Sequence, residues 1–99
     1  MSYRVRLTTA GADDLQRLFE FLAEHDVHAA ERARLAIEKA FSFLRDFPFA
    51  CRKAAPEYPF LREMLIEFGA AGYVALYEIE SGEFVTILAV RHQREDDYH

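Results

Sequence analysis

From Phe84 to Arg91 the chain reads Phe-Val-Thr-Ile-Leu-Ala-Val-Arg, apolar at nearly every position. A half-buried strand alternates apolar and polar residues, whereas a continuous apolar run marks a strand covered on both faces. This segment therefore predicts a central strand, and a central strand needs a sheet around it. Two more strands precede it. In Leu61–Phe68, Met64, Ile66 and Phe68 fall on one face and Glu63 and Glu67 on the other, the period of two of a pleated strand. In Tyr73–Ile79, Tyr73, Ala75, Tyr77 and Ile79 share a face. Gly69-Ala70-Ala71-Gly72 reads as one tight connection and Glu80-Ser81-Gly82-Glu83 as a hairpin turn.

The first half carries a different period. Tyr3, Val5 and Leu7 alternate with Arg4, Arg6 and Thr8, a short strand. Leu15, Leu18, Phe19 and Leu22 then recur at the spacing of one helix face. Thr8-Thr9 offers an N-cap, Asp13-Asp14 places negative charge near the helix start, and Gly11 weakens the first turn. Asp26 can cap a second helix, whose apolar stripe is Ala33, Ile37, Ala40, Phe41, Leu44 and Phe47. Pro48 ends it, because proline cannot continue the hydrogen-bond ladder. The short break makes the two helices an antiparallel hairpin. Phe49 to Pro59, with Pro56 inside it, reads as an irregular, mobile loop. The order is β-α-α-β-β-β in a single domain over residues 1–99. It predicts an α+β fold with a helix hairpin on one face of a small, mainly antiparallel twisted sheet. The other face is left partly open for a partner.

Composition narrows the function. A net charge of −5 argues against a chain built to coat nucleic acid. No apolar run approaches the ~20 residues of a membrane helix, the N-terminus lacks a signal-peptide core, and a single cysteine makes no internal disulfide. A cytoplasmic protein without membrane contact is expected. His25, His28, His92 and His99, with Glu95-Asp96-Asp97, show no HxH, HExxH or CxxC spacing, so neither metal nor cofactor is expected. Cys51 lies beside Arg52 and Lys53, but no triad accompanies it.

Phosphodiester cleavage without metal needs a base, an acid and cations at the phosphate. The candidates are Arg62, then Arg91, His92 and Arg94, then Tyr98 and His99. Arg62 and Arg91 meet if their strands are neighbours. The plainer alternative is that charged residues gather at strand ends and pair with acids such as Glu63 or Glu95.

The C-terminal half is more specific. Leu61-Arg62-Glu63-Met64-Leu65-Ile66, Phe68-Gly69, Gly72-Tyr73-Val74-Ala75-Leu76-Tyr77 and Ile87-Leu88-Ala89-Val90-Arg91-His92-Gln93-Arg94-Glu95 together resemble the ParE/RelE toxin superfamily. These are the toxins of bacterial type II toxin–antitoxin modules, also called plasmid stabilisation proteins. The arginine–histidine–glutamine–arginine stretch is closer to the ParE branch. The resemblance implies a growth inhibitor neutralised by a cognate, ParD-like antitoxin, with oligomers formed only through that complex. The ParE branch implies a non-enzymatic block of DNA gyrase, with Arg62, Arg91, His92 and Arg94 as target contacts. The RelE branch implies an endoribonuclease acting on messenger RNA at the ribosome through Arg62, Arg91, His92 and Tyr98. The acidic charge and the lysine-poor loop before Arg62 depart from the RNA-cutting pattern and favour ParE. Leu15, Leu18, Phe19, Leu22, Tyr73 and Tyr77 are the antitoxin anchors expected on this reading.

Overall fold

The computed structural model describes residues 2–69 and 72–93. In chain order it holds β1 (Arg4–Leu7), α1 (Thr9–His25), α2 (Val27–Asp46), β2 (Arg52–Lys53), β3 (Leu61–Ile66), β4 (Tyr73–Glu80) and β5 (Phe84–His92). The strands form one sheet in the order β1-β5-β4-β3-β2. β1 runs parallel to β5, and every other pairing is antiparallel. The expected α+β architecture is the one observed, with β5 inside the sheet. One element differs. The segment read as an irregular loop contains β2, which pairs Arg52 with Glu63 and Lys53 with Arg62.

Local chemistry sets the boundaries. The Thr8 hydroxyl caps α1 by accepting from the Gly11 N–H at 3.0 Å. Asp26 serves both helices: its N–H closes α1 on the Leu22 carbonyl, and its carboxylate accepts from the His28 and Ala29 N–H groups that open α2. A single extended residue therefore separates the helices. The β4–β5 turn places Ser81 and Gly82 both at positive φ, 53° and 68°, the backbone of a type I′ hairpin. Asp13 and Asp14 fall beyond the first turn of α1, so neither meets its N-terminal dipole as expected; Asp14 acts elsewhere.

Residues opposite one another across strands share a face of the sheet. One face therefore carries Met64, Ala75 and Val90, then Tyr77 and Ile87, then Ile79, Val85 and Val5. Ala33, Ile37, Ala40 and Leu44 of α2 close over it to make the core. Leu76 faces Ala89 while Tyr77 faces Ile87, which leaves Leu88 as an extra residue. That bulge carries Ile87 and Val90 onto the same face despite their odd spacing. On the opposite face Thr86 and Ala89 are also buried, so β5 is covered on both sides.

Tyr77 is fully buried, and its hydroxyl donates to the Pro48 carbonyl at 2.6 Å. Burial, with the Cys51 thiol beside it, pushes this hydroxyl well above the usual tyrosine range against a smaller opposing pull from Arg62. Tyr77→Phe should cost about 1–2 kcal/mol in chemical denaturation, because the Pro48 carbonyl loses a buried donor. The native state favours the protonated phenol, so its contribution is present below the unfolded value of about 10 and declines as pH rises beyond it. Tyr77→Phe should flatten that alkaline decline.

Candidate functional site

Arg62 opposes Tyr77 on β3, and its side chain turns into the preceding loop. Nε donates to the Pro59 carbonyl at 2.7 Å, and Nη1 to those of Cys51 at 2.9 Å and Phe49 at 3.3 Å. The guanidinium also sits over the Phe49 ring, 5.3 Å from its centroid. Phe49 in turn meets Phe60 edge-on, centroids 6.0 Å apart. One side chain thus gathers three carbonyls that the loop's irregular backbone leaves without ladder partners. This loop is better fastened than its proline content implies. Arg62→Ala should cost about 1–2 kcal/mol, allowing for partial exposure. It should also expose the chain between Phe49 and Pro59 to limited proteolysis at a protease dose that spares the parent.

Arg91 and His92 follow one another on β5 and so point to opposite faces. Arg91 lies in register with Val74, and through it with Leu65, on the face away from the helices. His92 lies opposite Tyr73 on the helix-covered face. Its ring meets Tyr73 edge-on at 5.9 Å, and Tyr73 stacks on Phe68 at 5.8 Å. The juxtaposition expected of Arg62 and Arg91 does not occur. β4 intervenes between their strands, and their rows lie three residues apart. Two strand spacings and three residues of rise separate their Cα positions by roughly 14 Å. They also belong to opposite faces. Arg94, Tyr98 and His99 lie outside the described residues. Among the described residues, no three His, Cys, Asp or Glu side chains group to hold a metal ion. No described helix is long and apolar enough to cross a membrane.

A set of residues whose joint role was not foreseen joins α1 to β5. The ladder between β1 and β5 ends at Leu7 and Ile87. Beyond that point α1 replaces β1 as the neighbour of β5. The Thr8 N–H donates to the Ile87 carbonyl at 3.0 Å, and its hydroxyl to the carbonyls of Ile87 at 3.2 Å and Leu88 at 3.3 Å. Six residues on from Thr8 and three on from Ile87, Asp14 Oδ2 accepts from the Val90 N–H at 2.9 Å. Gly11 makes this approach possible: a Cβ there would lie 2.6 Å from the Ile87 carbonyl oxygen. The sequence signal was the glycine inside an otherwise regular amphipathic helix, with an aspartate three residues on.

The residues expected to receive an antitoxin are placed unevenly. Tyr73 and Tyr77 are 3% and 0% exposed. They correct the expectation, because the face they share is the one the hairpin covers. Leu15, Leu18 and Leu22 pack inward against the same core. Phe19 also packs there, yet it reaches the outer surface too. With Ala23, Val27 and Ala30 it lines an apolar groove of about 380 Å³ between the helices, edged by Glu20, Glu31 and Arg34. Phe21, Val27, Leu35 and Phe43 are the exposed large apolar residues of the hairpin.

Residues 5–97 match the family described as the ParE toxin of the type II toxin–antitoxin system parDE. The chain is 30% identical to Toxin RelE1 of Caulobacter vibrioides over 92 residues, covering 93% of this chain and 95% of that protein. Its fold is similar to a chain in the structure of a chromosomal ParDE system from P. aeruginosa. That comparison has a TM-score of 0.69 and 16% identity, covering 92% of this chain and 96% of the other. It is also similar to a chain of the RelBE2 toxin–antitoxin complex from Mycobacterium tuberculosis. There the TM-score is 0.61 at 27% identity, covering 94% of this chain and all of the other. The chain belongs to the ParE toxin family of type II toxin–antitoxin systems, within the ParE/RelE superfamily.

Proposed function

We propose that this toxin arrests growth by binding a cellular target rather than by cutting RNA, and that the target is DNA gyrase. The observation that carries the reading is the separation of the candidate catalytic groups. General acid–base chemistry on a phosphodiester needs cation and proton carrier within hydrogen-bond reach of one phosphate. Arg62 is occupied with three loop carbonyls, whereas Arg91 stands across β4 on the other face. The net charge of −5 also opposes a ribosomal RNA surface. Target contact is assigned to the end of the sheet that carries Arg91 and His92 and leads to Arg94; Arg62 instead fastens the loop beside the opposite end, near the β4–β5 turn. A cognate antitoxin occupies the helix hairpin, with Phe19 and the exposed Val27 in the apolar centre of the contact and charged pairs at its rim.

The second reading is a RelE-like, ribosome-dependent endoribonuclease using Arg62, Arg91, His92 and Tyr98. It is favoured by the 30% identity to a protein named RelE1. Plasmid supercoiling and protein synthesis, followed side by side after induction of the toxin without antitoxin, separate the two. Loss of negative supercoiling with translation continuing supports the gyrase reading. Prompt translation arrest with normal supercoiling overturns it in favour of the enzyme.

A further inference from the structure

We propose that Asp14 is a positioning residue: from α1 it fixes the last turn of pleat in β5 and so sets the direction in which Arg91 points. The inference rests on the reading of that sheet end as the target-contacting one. Val90 is fully buried, and the β1 ladder has ended three residues earlier at Ile87. Its N–H therefore needs an acceptor that β1 does not provide, since a buried amide without one is costly. Asp14 Oδ2 supplies it at 2.9 Å. The other carboxylate oxygen is held by Arg17 Nη2 at 3.0 Å, which limits rotation of the acceptor. The carboxylate is only 19% exposed, so water competes weakly for its oxygens. The very next residue along β5 is Arg91. A strand end paired on one side only is free to peel and twist; one anchored on both sides holds its side chains in a fixed direction. The anchor comes from α1, the helix that also lines the proposed antitoxin groove through Phe19 and Ala23.

The test compares Asp14→Ala, Asp14→Asn and Arg17→Ala with the parent and with Arg91→Ala. Asparagine keeps an acceptor oxygen for the Val90 amide and loses only the charge. Two readouts are taken: growth arrest by the toxin expressed alone, and residue-resolved amide hydrogen exchange in the purified toxin–antitoxin complex. The expected result for Asp14→Ala is folded protein with parental antitoxin affinity and loss of growth arrest. Its Val90 amide should exchange about tenfold faster or more, the scale of one lost charge-assisted hydrogen bond. Asp14→Asn should keep both properties near the parent, and Arg17→Ala, which frees the acceptor to rotate without removing it, should raise Val90 exchange by less than Asp14→Ala does. Unchanged exchange at Val90 in Asp14→Ala overturns the proposal, as does full toxicity despite faster exchange. An Asp14→Ala chain that does not fold also overturns it, by giving Asp14 a global role instead of a local one. If Arg91→Ala proves as toxic as the parent, the target-contact reading has failed. The exchange ratio then decides alone whether Asp14 anchors the strand.

Discussion

Cells producing the Arg91→Ala, Arg94→Ala double variant without antitoxin are expected to grow as cells carrying an inactive gene do. Each substitution removes a guanidinium, the side chain best suited to fixed, multidentate contacts with carboxylate or phosphate. Charge-assisted contacts of that kind contribute about 1.5–3 kcal/mol each. Losing two should weaken target binding by roughly 10² to 10⁴-fold, enough to abolish arrest at ordinary expression. The fold should survive, because Arg91 lies on the sheet face away from the helices and outside the core. A substitution there is expected to change stability by about 1 kcal/mol or less. Thermal melting and co-purification with antitoxin check folding, and supercoiling in the same cells checks the target. A double variant that is folded and still lethal removes these arginines from the mechanism.

Gly11→Ala should be among the most destabilising single-methyl additions in the molecule. In an unconstrained helix, alanine in place of glycine would stabilise by about 1 kcal/mol. Here the new methyl would lie 2.6 Å from the Ile87 carbonyl oxygen, a backbone atom of the central strand. That atom cannot swing aside as a flexible side chain can. The helix must lift from the sheet, and lifting it stretches the contacts of Thr8 with Ile87 and Leu88 and of Asp14 with Val90. Overpacking of this kind costs about 1–3 kcal/mol, before the weakened hydrogen bonds are added. For a domain of this size the midpoint should fall by roughly 10 °C. A melt unchanged or raised by Gly11→Ala would falsify the close approach of α1 to β5.

Much of the architecture was legible in the sequence because two periods dominate it. Leu15, Leu18, Phe19 and Leu22 repeat at helical spacing, and Met64, Ile66 and Phe68 alternate. The apolar run through β5 gave its central position without reference to any partner. The bulge at Leu88 was not legible, since an inserted residue inside an all-apolar strand leaves the pattern unchanged. β2 was missed because two residues, Arg52 and Lys53, are too short for any period to register. Tyr73 and Tyr77 were correctly grouped on one face, but periodicity does not say which face the helices take. That ambiguity turned two core residues into expected docking anchors. The distance between Arg62 and Arg91 was lost for a related reason: strand order in a sheet is set by the path of connections, and residue types alone do not encode it. Arg62 was read as a phosphate or target contact, or else as a partner of acids such as Glu63, whereas the three carbonyls it gathers belong to backbone that no side-chain motif announces.

The pairing of β1 with β5 has a consequence for how the toxin is born. Arg4 stands opposite Phe84, so the first of the described strands has no neighbour in the sheet until nearly all the described chain has been synthesised. Contacts of such long sequence separation form late and slowly. Until Phe84–His92 emerges, the sheet lacks β5 and the parallel pair it makes with β1. On the proposed docking of an antitoxin to the hairpin, that interval lets the antitoxin arrive before the sheet end assigned to target contact is complete.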